Sequence, residues 1–165
     1  MNIEKGDQTI TLSEDEFTYS EGLTIDFADY VSGTGDGTLS FEVSAQNGVT
    51  FDFANGVVSN ITKAGGTFTL TVNKAASDNY NAATETFTVT LNKGAQTLSV
   101  SGTPSAPTWK QNFTVSVSGN KGALSYAITS GSASVNANGV ITANGAGQVR
   151  YSVTAAATDL YEVKT

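Results

Sequence analysis

The sequence predicts an all-β protein made of two tandem antiparallel sandwiches, the second lacking its last strand, and three observations carry that prediction. Apolar residues alternate with Thr and Ser along most of the chain, Asn-Gly pairs punctuate the alternating runs, and the whole pattern occurs twice. Alternation with period two places apolar side chains on one face of a half-buried strand, and β-branched threonines suit the solvated face. No run shows the i, i+3, i+4, i+7 spacing of a helix.

Taken in order, the first half predicts strands near 7–12, 22–27, 38–44, 49–53, 56–59, 66–73 and 84–91. Phe68, Leu70 and Val72 alternate with Thr67, Thr69 and Thr71, and Phe87, Val89 and Leu91 with Thr86, Thr88 and Thr90. The second half predicts strands near 95–101, 112–118, 123–129, 133–136, 139–142 and 147–155, with Phe113, Val115 and Val117 alternating with Thr114, Ser116 and Ser118. Asn-Gly at 47–48, 55–56, 138–139 and 144–145 supplies the pair that best tolerates positive φ, so these are expected to be chain reversals.

The repeat fixes the expected domain count. "KGDQTITL" from Lys5 returns 88 residues later as "KGAQTLSV" from Lys93, and "GTLSFEV" from Gly37 returns 85 later as "GALSYAI" from Gly122. "NGVV" from Asn55 matches "NGVI" from Asn138, and Asp78 with Tyr80 matches Asp159 with Tyr161. Order is kept while the offset shrinks, as it does when strands correspond and loops differ in length. The expected domains are 1–91 and 92–165, and six or seven short strands each fit an immunoglobulin-like sandwich. The second copy stops at Glu162-Val163-Lys164-Thr165, where the first continues through "AATETFTVTL".

"SASVNANGVITANGAGQVRYSVTA" resembles the second half of bacterial Ig-like domains, the tandem modules of intimin- and invasin-like adhesins and other bacterial surface or phage virion proteins. The junction "DNYNAATETFTVTLNKGAQTLSV" is similar to tandem arrays in which one module's last strand runs into the next. The resemblance implies a spacer or adhesion module without catalysis and carries over no active site.

Composition narrows the chemistry independently. The chain of 165 residues holds no His and no Cys, which excludes an imidazole base, a thiolate nucleophile, a Ser-His-Asp triad and a standard zinc site. A net charge of −7 opposes binding to phosphate backbones, so nucleic acid is not an expected partner. No apolar stretch is long enough to insert in a membrane, and the start Met-Asn-Ile-Glu-Lys-Gly-Asp does not read as a secretory signal. The expected location is extracellular or cell-surface, as part of a longer exported protein, with a virion as the alternative.

Candidate site residues are few. Glu14, Asp15 and Glu16 form the densest carboxylate cluster and, with Asp36 in "GTGDG", are the only set that suggests Ca²⁺; solvated loop acids account for them more simply, and no cofactor is expected. Tyr19, Tyr30 and Trp109, the only tryptophan, are the aromatics placed to form a ligand surface for a receptor or glycan. Tyr80 and Tyr161 read as corner tyrosines pinning a crossover, with Asp78 and Asp159 capping the turn. Residues up to Leu91 carry three Lys against thirteen acids, a balance of −10; those after it carry five Lys and Arg against two acids, a balance of +3. The expected function is a non-catalytic structural or adhesion module of a bacterial surface protein, whose partners are other domains of the same or a neighbouring chain. The alternative is a phage decoration or fibre protein assembling head to tail by strand complementation.

Overall fold

Phe68, Leu70 and Val72 do what their alternation predicts. All three are at most 1% exposed on the central strand of the first unit. The computed structural model describes all 165 residues, Met1–Thr165, and its contacts separate into two units, Met1–Gly94 and Ala95–Thr165.

The strands of the first unit are β1 (Thr11–Leu12), β2 (Glu16–Thr18), β3 (Ile25–Asp26), β4 (Val31–Ser32), β5 (Leu39–Asn47), β6 (Thr50–Ala54), β7 (Val57–Lys63), β8 (Gly66–Lys74) and β9 (Ala83–Asn92). One sheet has the order β2-β9-β8-β5 and the other β3-β7-β6, with β1 paired to β4. Strands β3 and β4 are one path interrupted by a 3-10 turn at Phe27–Asp29, which Asp26 caps by accepting from the Ala28 N–H at 3.0 Å. Phe27, swung inward by that turn, is fully buried. This is the two-sheet arrangement of an immunoglobulin-like sandwich. Edge-on ring contacts knit its core, with Phe68 4.7 Å from Phe51 and 6.0 Å from Phe27, and Phe17 6.1 Å from Phe27.

The second unit contains β10 (Ser99–Ser101), β11 (Asn112–Thr114), β12 (Ser116–Ser118), β13 (Leu124–Ser130), β14 (Ala133–Val135), β15 (Val140–Ala143) and β16 (Arg150–Ala155). They pair as β10-β12, β11-β15-β14 and β13-β16. Its core is smaller. Val115, Ile141 and Val153 are its buried centre, with Phe113, Leu124, Tyr126 and Tyr151 packed against them.

Three expectations need correction. The strands are not all antiparallel: β2, in the segment expected to be a loop of solvated acids, pairs parallel with the end of β9, Glu16 opposite Thr90 and Thr18 opposite Asn92. The run 112–118 is two strands, since β11 pairs with β15 while β12 pairs with β10, and buried Val115 sits at the switch. Of the Asn-Gly pairs, only Asn55-Gly56 has positive φ at both residues (53° and 87°), closing β6 onto β7 as a two-residue hairpin. Asn47-Gly48 instead carries the chain from one sheet to the other, because β5 pairs with β8 and β6 with β7.

Candidate functional site

The most specific constellation lies in the repeated "KGxQT" segment. Gln8 and Gln96 are buried, at 7% and 4% exposure, and they make matching hydrogen bonds. Gln8 Nε2 donates to the carbonyls of Ala75 (2.8 Å) and Asn81 (2.7 Å), while its Oε1 accepts from the Gly37 N–H (2.9 Å). Gln96 Nε2 donates to Ala156 O (2.9 Å) and Glu162 O (2.7 Å), and its Oε1 accepts from the N–H groups of Lys121 (2.6 Å) and Gly122 (3.1 Å). Each amide buckles the first segment of its unit to the chain leaving the central strand and to the loop before β5 or β13. Both glycines are required by close approach: a Cβ on Gly37 would lie 2.0 Å from Ala75 O, and one on Gly122 1.9 Å from Ala156 O. The repeat made these glutamines visible in the sequence, but the carbonyls they hold are 60 or more residues away, so their role was not.

Beside each buckle the repeated tyrosine turn is tied by a hydroxyl. Ser77 Oγ accepts from the Tyr80 N–H at 3.2 Å, and Thr158 Oγ1 accepts from the N–H groups of Leu160 and Tyr161 at 3.2 and 3.0 Å. The cap is therefore the residue before the expected Asp78 and Asp159, because a hydroxyl three residues ahead of the tyrosine reaches its amide directly.

The expected cation set does not assemble. No three acidic side chains gather in a group that would hold a metal, and Glu14, Asp15, Glu16 and Asp36 are spread along two loops and β2. Glu16 Oε1 accepts from Asn92 Nδ2 at 2.7 Å, and the Asp15 carbonyl accepts from the Thr90 N–H, so this stretch serves the β2–β9 ladder. The aromatics divide between the two units. Tyr30 stands edge-on to Phe17 at 5.2 Å, part of the cover over the first core. Tyr19 lines a hollow of about 240 Å³ with Leu23, Ser59, Asn60 and Ile61. Trp109, in the other unit, is 66% exposed, with Lys110 Nζ 4.4 Å from its ring centroid.

A further feature distinguishes the two units. In the first, β8 pairs with β5 on one side and β9 on the other; in the second, its counterpart β16 pairs along its length with β13 alone. The other side of β16 opens onto a shallow groove lined by Leu98, Val100, Tyr151, Ser152, Val153, Lys164 and Thr165.

No family model matches the chain, and no curated protein sequence matches it. Among solved structures it is similar to the crystal structure of Drosophila N-cadherin EC1-4, at 14% identity and a TM-score of 0.36. That match covers 92% of this chain and 45% of the cadherin chain, so the chain spans less than half the length of the structure it resembles.

Proposed function

We propose that the chain is a non-catalytic structural and adhesion module of a bacterial cell-surface protein, serving as spacer or binding domain. The observation that supports this best is what the two units repeat. The buried glutamine buckle, the hydroxyl-tied tyrosine turn and the hairpin glycine lying over the ring of Phe41 or Tyr126 all recur, and all of them are architectural. The surface features are not repeated: the Glu14–Asp15–Glu16 run and Trp109 each occur once. Tandem copies of one scaffold with diverging surfaces suit a module that sets distance or carries an adhesive face. Its partners are neighbouring domains and a receptor or glycan at the surface, and it uses no cofactor.

Antibodies raised against the chain test the reading on intact source cells and on virions produced from them. Labelling of the outside of intact cells is expected, together with retention of chain-coated beads on a panel of host matrix proteins and glycans. Label confined to the cytoplasm overturns the proposal, and label on virions alone replaces it with a virion role.

A further inference from the structure

We propose that the groove beside β16 is a receptor for one β-strand with the chemistry of β9, apolar residues alternating with threonine and free of proline, added antiparallel to β16 by a partner polypeptide segment. This deepens the structural and adhesive reading above, and rests on it only for the biological source of the strand.

The first unit shows what such a groove holds. There β9 runs antiparallel to β8, with Lys74 opposite Ala83, Leu70 opposite Phe87 and Phe68 opposite Val89. In this pair Leu70 of β8 and Val89 and Leu91 of β9 are fully buried. By the repeat, Leu70 corresponds to Tyr151, Val72 to Val153 and Lys74 to Ala155, because Leu39 faces Lys74 as Leu124 faces Ala155. Tyr151 is only partly buried, and Val100 on the opposite wall is 44% exposed. The lane that β9 fills in one copy is open in the other at Tyr151 and Val100, while Val153 and Ala155 beside them are already buried.

The start of the lane is already built. Ala155 N–H donates to Lys164 O at 2.8 Å and Lys164 N–H to Ala155 O at 3.1 Å, the antiparallel pair that Lys74 and Ala83 make in the first unit. Thr154 and Thr165 hydroxyls meet at 2.9 Å. The Gln96 amide fixes this approach by holding both Ala156 and Glu162. The pairing register is therefore set before the strand arrives, and the side chains that must face Tyr151 and Val149 are specified. Backbone ladder bonds along the free edge supply affinity, and the alternate apolar pockets supply selectivity, as in strand addition generally. The second unit's charge of +3 after Leu91 also favours a neutral or acidic strand, and β9 carries Glu85 and no cation.

A second vacancy depends on the first. Strand β2 exists because β9 gives it a parallel partner, and its Phe17 covers the core; the corresponding stretch of the second unit forms no strand. There Thr103, Pro104, Ser105 and Pro107 border a hollow of about 230 Å³ with Phe113, Val149 and Tyr151. Strand capture is expected to draw this loop in and to change the surroundings of Trp109, which lies at its end.

The test extends the full chain after Thr165 with Glu-Thr-Phe-Thr-Val-Thr-Leu-Asn, the residues that follow Thr84 in β9, so that the Phe falls opposite Tyr151. The control carries the same residues shifted by one position, which turns the apolar set to solvent. The in-phase extension is expected to raise the urea midpoint read by Trp109 fluorescence and to slow amide exchange along β16 at least tenfold over the control. The free octapeptide is expected to bind the unextended chain saturably, to lose that binding in Val100→Glu, and to leave the extended chain untouched. Equal effects of both extensions, or no saturable binding of the peptide, overturn the proposal. So does concentration-dependent dimerisation of the unextended chain that protects β16, since the occupant would then be a second copy. All of these readouts use purified protein, so their failure leaves the cellular location untouched, and a cytoplasmic label leaves them standing.

Discussion

Replacing Gln96 by leucine removes one side chain and leaves two carbonyls and two N–H groups without the partner that now satisfies them. A buried polar group stripped of its hydrogen bond costs about 1–3 kcal/mol, and several are affected here. The expected result is a fall in the urea midpoint of the second unit, read by Trp109, with the first unit's transition unmoved. Gln8→Leu is expected to do the reverse. Leu70→Ala acts by another route, creating a cavity at a fully buried site, and is expected to destabilise the first unit by about 2–5 kcal/mol in a chemical melt followed by circular dichroism. The role of Leu70 was legible because its signal is local: its neighbours in sequence declare the buried face. The role of Gln8 was not, since a glutamine among threonines reads as solvated until Ala75 and Asn81 fold over it. Trp109 stood out by type alone, and nothing in its neighbourhood in sequence states whether it is covered.

Among the elements, the long strands β5, β8 and β9 were readable from alternation, and β2 was not. Three residues in the acidic segment "EDEFTY" carry no period, and the partner that makes them a strand lies more than 70 residues on, at Thr90–Asn92. The same holds for the break at Val115, which alternation alone joins into a single run because the switch of sheets is decided by the partners β10 and β15. Hydrogen exchange checks the β2 assignment. The Tyr19 N–H donates to Asn92 O at 2.9 Å and the Thr90 N–H to Asp15 O at 2.7 Å, so both amides are expected to exchange slowly. Amides between Gly102 and Ser105 in the second unit, outside any strand, are expected to exchange orders of magnitude faster.

The whole chain folds as two bodies with unequal means. The first has a full set of strands and a core knit by edge-on ring contacts; the second has a smaller buried centre and, in β16, a strand paired along one side only. Calorimetry of the intact chain is expected to show two transitions, with the lower one coinciding with the change in Trp109 fluorescence, since burial per residue sets the margin in small domains. The parallel pairing of β2 with β9 has a mechanical consequence. Tension applied across the first unit pulls those strands in opposite directions along their own axes, so the bonds between Glu16–Thr18 and Thr90–Asn92 are loaded in shear and share the force. The second unit has no such clamp, and its rupture on stretching is governed by an unfolding rate with less to slow it. A single molecule held at its ends and drawn out at constant speed is expected to yield in two steps, the second unit first and at the lower force, leaving the first to bear the strain alone.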